Sequence, residues 1–165
     1  MRADPTSTPV ALRAVRFDEV AQVLRLIRRA VDVGCRNHYD RRQLEAVYAS
    51  YAGTLFVDTL GPVETIAATV GGRIAGVAQL DPVEGRLRAL FVDGDCQGRG
   101  LGRALMAEIE ARAVRHGCVR LHGAMSLNAV PFYAATGFRA CHGPQRLVTA
   151  RTLVPIVRME KALAR

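Results

Sequence analysis

Leu90-Phe91-Val92-Asp93-Gly94-Asp95-Cys96-Gln97-Gly98-Arg99-Gly100-Leu101-Gly102-Arg103 is the stretch whose reading decides the fold. A strand pattern, Arg86–Val92, runs into it, with Leu87, Ala89 and Phe91 expected on one face. Leu101, Leu105 and Ile109 leave it at the i, i+4 spacing of a helix that runs from Gly100 to about His116 and stops at Gly117. Between strand and helix lies a polar loop closing on Gly98, Gly100 and Gly102. Glycine lets a backbone approach a ligand closely. The first turn of a helix presents N–H groups with no intrahelical partner and a partial positive charge. Together these suit a pyrophosphate. The dinucleotide fingerprint G-x-G-x-x-G is absent, because Arg103 follows Gly100 at the required spacing and Leu105 follows Gly102.

Upstream, Val10–Val15 alternates as a first strand. Asp18 offers an N-cap to a helix carrying Val20, Val23, Leu24, Ile27 and Val31, which Gly34 stops. A second helix starts near Asp40, with Gln43 placed for a capping box and Leu44, Val47, Tyr48 and Tyr51 as its apolar face. Thr65–Val70 and Arg73–Leu80 flank Gly71-Gly72, a hairpin turn in which positive φ costs glycine nothing. Downstream, Val119–Met125 reads as a strand, Asn128–Thr136 as a short helix with Gly137 after it, and Phe138–Cys141 and Val154–Met159 as final strands around a loop from His142 to Thr152. The order β-α-α-β-β-β-α-β-α-β-β predicts a mixed α/β fold, with a mainly antiparallel central sheet and helices on both faces. Residues 1–9 are expected to form a flexible arm, and residues 10–165 a single domain.

The chain is 165 residues long, half of them apolar, so a sizeable core is available. Its formal net charge of +8 suits an anionic partner. The basicity is nearly all arginine, since Lys161 is the only lysine. Lys161 stands outside any phosphate-loop, kinase-type or Schiff-base motif, which argues against all of these. Cys35, Cys96, Cys118 and Cys141 form no C-x-x-C pair and follow no secretory signal, so reduced thiols in a cytoplasmic protein are expected. No apolar run approaches the ~18 residues of a membrane span. Nucleic-acid binding lacks support: there is no helix-turn-helix signature, no basic run interleaved with aromatics and no tryptophan. Neither Cys35 with His38 nor His116, Cys118 and His122 matches a common zinc spacing, so no metal is expected.

Q-G-R-G-L-G, Gln97–Gly102, after a strand ending L-F-V, resembles the pyrophosphate loop Q/R-x-x-G-x-G/A of the GNAT superfamily of N-acetyltransferases. A second segment, N-A-V-P-F-Y-A-A-T-G-F over Asn128–Phe138, is similar to that family's N-A-x-x-F-Y-x-x-x-G-F. Either motif alone is weak; both, in order and separated by a helix and a strand, are specific. V-R-M-E-K-A-L near the C-terminus is similar to the family's last strand. The resemblance covers about residues 65–163, while residues 10–60 agree mainly in their β-α-α order. Two positions depart from it: Gly94 stands where many members have proline, and Cys96 where an aromatic is common.

The resemblance implies acetyl-CoA as acyl donor and an amine as acceptor. It implies that Leu90, Phe91 and Val92 lie along the cofactor, the backbone of Phe91 and Val92 pairing with the pantetheine amides at an edge opened by a splay between strands. Gln97, Gly98, Arg99, Gly100, Leu101 and Gly102 would surround the pyrophosphate. Arg99 and Arg103 would add charge there or stand as solvated helix-end arginines. Asn128 would orient the pantetheine arm, cap the short helix, or do both. Tyr133 would protonate the departing thiolate or serve as a core tyrosine. Asn37-His38-Tyr39 is similar to an H-Y segment of a bacterial subgroup, which puts His38 and Tyr39 on the acceptor side.

Attack on a thioester needs a neutral amine, hence a base or a water chain. Glu64, Asp81, Glu84 and His122 are the candidates, each equally readable as a structural or solvated residue. Cys96 has no adjacent histidine to activate it, which argues for direct transfer rather than an acyl-enzyme. Three functions compete: acetylation of a small-molecule amine, acetylation of a protein lysine or N-terminus, and non-catalytic acyl-CoA sensing. Tyr133 disfavours the last. Oligomeric state does not follow from the residues; a homodimer is one option.

Overall fold

The computed structural model describes residues 9–54, 58 and 61–164. Nearly all of the arm expected over residues 1–9 lies outside the described residues. The elements are β1 (Val10–Ala14), α1 (Val20–Gly34), α2 (Arg41–Ala52), β2 (Glu64–Val70), β3 (Arg73–Asp81), β4 (Arg86–Val92), α3 (Leu101–Arg115), β5 (Arg120–Ser126), α4 (Val130–Ala135), β6 (Arg139–Ala140), β7 (Gln145–Thr149) and β8 (Thr152–Ala162). The sheet runs β1-β2-β3-β4-β5-β8-β6, with β7 also paired to β8, and every pairing but β4–β5 is antiparallel.

Local rules account for most of these boundaries. Asp40 accepts from the Gln43 N–H at 2.8 Å while Gln43 accepts from the Asp40 N–H at 3.0 Å, so the capping box forms as expected. Gly71 and Gly72 have φ of 57° and 77° and close the β2–β3 hairpin.

Strand alternation then sorts the core onto two faces. Ile66, Ala68, Ala78 and Leu80 pack against Leu101, Leu105, Met106 and Ile109 of α3. Ala67, Ile74 and Val77 pack on the other face against Val20, Val23, Ile27 and Val31 of α1. A smaller cluster joins Tyr39 and Ala46 to Val154 and Ile156 of β8.

Four local expectations are corrected. Asp18 does not cap α1; it lies in a 3-10 turn, Phe17–Glu19, and Glu19 takes over the end. Glu19 accepts from the Arg16 backbone N–H at 2.9 Å and holds Arg13 bidentately at 2.7 and 2.8 Å. The short helix begins at Val130, not Asn128, because Leu127–Ala129 winds as a 3-10 turn before it. The segment expected as a loop from His142 contains β7, closed onto β8 by Ala150 and Arg151 at φ of 44° and 60°. Their left-handed backbone lacks the glycine or asparagine that announces such a turn in sequence. Leu87 and Phe91 do not share a face: the register shift between Gln79 and Leu80 leaves Arg88 without a β3 partner, a β-bulge. Leu87 consequently packs with α3 and Phe91 with the α1 cluster.

Candidate active site

The site exists because β4 and β5 part company. They share one registered pair, Arg86 with His122, reinforced by the His122 N–H to Gly85 carbonyl bond at 3.0 Å. Gly123 makes the approach at that pivot tolerable, since a Cβ there would stand 2.7 Å from the Leu87 carbonyl oxygen. Beyond the pivot no further pair is registered, and β4 keeps unpaired backbone groups along Leu90–Val92.

A cavity of about 710 Å³ opens on that edge. Leu90, Phe91 and Val92 line one side; Gln97, Gly98, Gly100, Leu101, Gly102 and Arg103 line the end where α3 begins. Gly98 and Gly100 have φ of 75° and 80°, and a Cβ on either would meet nothing within 4 Å, so the loop's outer face is clear. Gly102 is small for another reason: its Cβ would sit 3.2 Å from the Phe132 ring. Gly100 caps α3 and its carbonyl takes the Ala104 N–H at 2.9 Å, which leaves the N–H groups of Leu101, Gly102 and Arg103 unpaired in the first turn. That end can receive a polyanion. Arg103 lines the cavity, whereas Arg99 is exposed and does not.

Opposite stand Asn128, Ala129, Phe132 and Tyr133. Asn128 does not cap α4, whose N-cap is Ala129. Its side-chain oxygen instead accepts from the Cys35 thiol at 3.3 Å, a contact spanning 93 residues. Burial pushes the Cys35 thiol up to about 11, against the smaller opposing effect of that bond. Tyr133 is buried, its ring edge-on to Phe132 and Phe138 at centroid distances of 5.3 and 5.5 Å. Desolvation raises its hydroxyl above the ordinary tyrosine pKa, with nearby Tyr51 a lesser cause.

A second hollow, about 270 Å³, lies along the same divergence on the α2 and β7 side. Tyr39, Tyr51, Gln79, Arg86, Arg88, Ala124 and Ser126 are among its walls, and Ser126 lines both spaces. Tyr51 meets Phe91 of the larger cavity edge-on at 4.9 Å. Tyr39 donates to the Pro155 carbonyl and accepts from the Leu127 N–H, both at 2.8 Å, so it ties the α1–α2 connection to β8 and to the turn carrying Asn128. His38 is exposed and lines the larger cavity rather than this one.

None of the candidate bases lines either space. Glu64 is engaged by Arg112 at 2.7 Å and by His116 at 2.5 Å. Burial would raise its pKa, but those two bonds outweigh it and hold the carboxyl below its usual range. Asp81 accepts from the backbone of Val83 and Glu84 in the β3–β4 turn, and His122 bonds the Glu84 carbonyl oxygen at 3.0 Å. Among the described residues no carboxylate lines either space, and no three His, Cys, Asp or Glu side chains gather as a metal cluster. Arg86, Arg88, Gln79 and Ser126 were not singled out by sequence. For the arginines the signal is available: Arg86 and Arg88 flank Leu87 in a strand whose remaining residues are all apolar.

The fold is that of GCN5-related acetyltransferases. A GCN5-related N-acetyltransferase from Rhodopseudomonas palustris superposes with a TM-score of 0.86 at 24% identity, over 98% of this chain and 100% of that one. PaiA N-acetyltransferase from Thermoplasma acidophilum, solved with coenzyme A, gives 0.76 at 15% identity over 93% and 99%. YncA from Salmonella typhimurium, a putative acetyltransferase solved with acetyl-CoA, gives 0.63 at 16% over 95% and 95%. No curated protein is detectably similar in sequence. The profile of the acetyltransferase (GNAT) domain matches residues 35–163, and the chain belongs to that family of acetyltransferases. No helix among the described residues is long and apolar enough to cross a membrane.

Proposed function

We propose that this protein is an acetyl-CoA-dependent N-acetyltransferase that acetylates a primary amine on a small molecule by direct attack in a ternary complex. One observation carries the reading: a single cavity joins an unpaired strand edge at Leu90–Val92, the open N-terminus of α3 and the buried Tyr133. The edge suits an amide-bearing arm, and the helix start suits a pyrophosphate. Arg103 adds charge within the cavity and Arg99 from outside it. Asn128, held by Cys35, orients the arm, and His38 borders it. The solved relatives that hold coenzyme A or acetyl-CoA support the same donor. The second hollow takes the acceptor, with Tyr39 in its wall; at about 270 Å³ it suits a small amine better than a peptide.

In the reaction the amine nitrogen attacks the thioester carbonyl carbon, a C–N bond forms and the C–S bond breaks. The sulfur leaves as a thiolate and takes the Tyr133 proton, the amine's proton passes to water, and water returns a proton to the Tyr133 oxygen to close the cycle. Tyr133 is protonated at neutral pH, as a donor must be. Its raised pKa also makes it a weaker acid, which places its contribution at the low end for a general acid. Cys35, on the wall of that cavity, is pushed up to about 11 by its burial. The same shift disqualifies Cys35 as a nucleophile. A cytoplasmic setting is part of this reading, on the lack of any C-x-x-C pair among the four cysteines.

Initial rates at varied acetyl-CoA and amine should give intersecting lines. Parallel lines with a trapped acetyl-cysteine would sink direct transfer. Calorimetry showing no acetyl-CoA binding at millimolar ligand would sink the whole reading.

A further inference from the structure

The second hollow is basic, although the reaction needs only a neutral amine. Arg86 and Arg88 line it, and among its described walls there is no carboxylate. The two guanidiniums differ in setting. Arg88 is partly buried and rests on Asp58, nitrogen to oxygen 3.2 Å; the Asp58 side chain is itself buried, and its second oxygen has no hydrogen-bond partner among the described residues. Among the described residues the ion-pair partner of Arg86 is Glu84, at 3.9 Å and exposed, a contact that contributes little. Among the described residues, neither arginine donates a hydrogen bond to another side chain or carbonyl, which leaves N–H groups free there for a ligand.

Folding does not oblige β4 to turn these charges this way. The bulge at Arg88 breaks the strand alternation and presents Arg86, Leu87 and Arg88 to one space. Gln79, buried and bonded to Thr65 at 3.1 Å, supplies a fixed polar floor. A guanidinium offers a planar fork of donors that matches a carboxylate.

We propose that the acceptor is a small amine that also carries a carboxylate, its negative end held by Arg86 and Arg88 and its amine pointing past Ser126 into the larger cavity. This rests on the proposed acetyl transfer and specifies its substrate class. Asp58 acts through Arg88 as a positioning residue: it holds the guanidinium in the wall without entering the hollow.

The test uses the full chain and matched pairs, α-amino acids against their own carboxamides. With saturating coenzyme A, the acids should raise the melting temperature and the amides should not. With acetyl-CoA, kcat/KM should favour at least one acid over its amide by about 10- to 10²-fold, the usual size of a charge-assisted hydrogen bond. Arg86→Gln should cut that acid-to-amide ratio about tenfold, mostly through KM. Arg88→Gln should cut it further, but it strands Asp58 and risks the fold; Arg88→Gln with Asp58→Asn removes both charges and keeps the measurement interpretable. Amides that stabilise and turn over as well as acids, acids that do neither, or an unchanged ratio in Arg86→Gln would each overturn the proposal. Acetyl-CoA binding by calorimetry separates the two failures: intact binding with no preference for acids refutes this inference alone, and absent binding refutes the transferase reading beneath it.

Discussion

Replacing Tyr133 with phenylalanine removes one oxygen and nothing else that the fold uses. The ring contacts with Phe132 and Phe138 remain, and the hydroxyl donates to no described residue, so no partner is stranded. Stability should therefore change by less than about 0.5 kcal/mol, as for substitutions that disturb no packing or paired polar group. Chemistry should suffer more. A general acid contributes ~10²–10⁴-fold, and the low end applies here because a tyrosine raised by burial is a weak donor. A 10²-fold fall in kcat corresponds to about 2.7 kcal/mol of barrier. Acetyl-CoA affinity should change little. The sign of the pKa shift adds a second readout. Because the hydroxyl's pKa lies above its ordinary value, the wild type should show no loss of kcat from Tyr133 deprotonation up to about pH 10. The assay is thiol release at saturating substrates, with parallel thermal melts and calorimetry. Wild-type kcat in Tyr133→Phe refutes the acid role and leaves a packing residue. Lost affinity at unchanged kcat makes it a binding contact.

Gly100→Glu places a carboxylate at the left-handed cap of α3 and should weaken acetyl-CoA binding by at least 10²-fold in calorimetry; retained affinity would show that the helix start holds no phosphate. Gly123→Ala should lower the melting temperature, at a cost of about 1–3 kcal/mol, because its Cβ would meet the Leu87 carbonyl at the pivot of the splay; a neutral effect would mean that the strands separate easily there. Glu19 is held down to about 2, chiefly by its bond to Arg13. With the folded pKa depressed below 4.5, its contribution is full above that value and is lost as pH falls toward 2. Glu19→Gln should thus lose about 1 kcal/mol at pH 7 and progressively less below pH 4.5, followed by urea melts; a pH-independent difference would contradict the ion pair.

What the sequence determined by itself is what neighbours along the chain decide. The Asp40–Gln43 box, the Gly71-Gly72 turn and the stops at Gly117 and Gly137 all rest on contacts or φ values a few residues wide. The glycine-rich loop and the Asn128–Phe138 segment belong to the same class, since each pattern is contiguous. The α3 stripe Leu101, Leu105, Ile109 was legible because helical period and burial agree. Tertiary structure decided the rest. Asn128 bonds Cys35 from 93 residues away, Arg88 rests on Asp58, and Glu64 is claimed by Arg112 and His116 rather than left free as a base. The bulge at Arg88 reassigned the faces of β4, and nothing in Arg-Leu-Arg marks a bulge, because the shift is set by how β3 and β4 register across the sheet. The parting of β4 from β5, which creates both hollows, has no local signal either: it depends on where two strands joined through α3 cease to pair, and that is fixed only when the helix and both sheet faces pack at once.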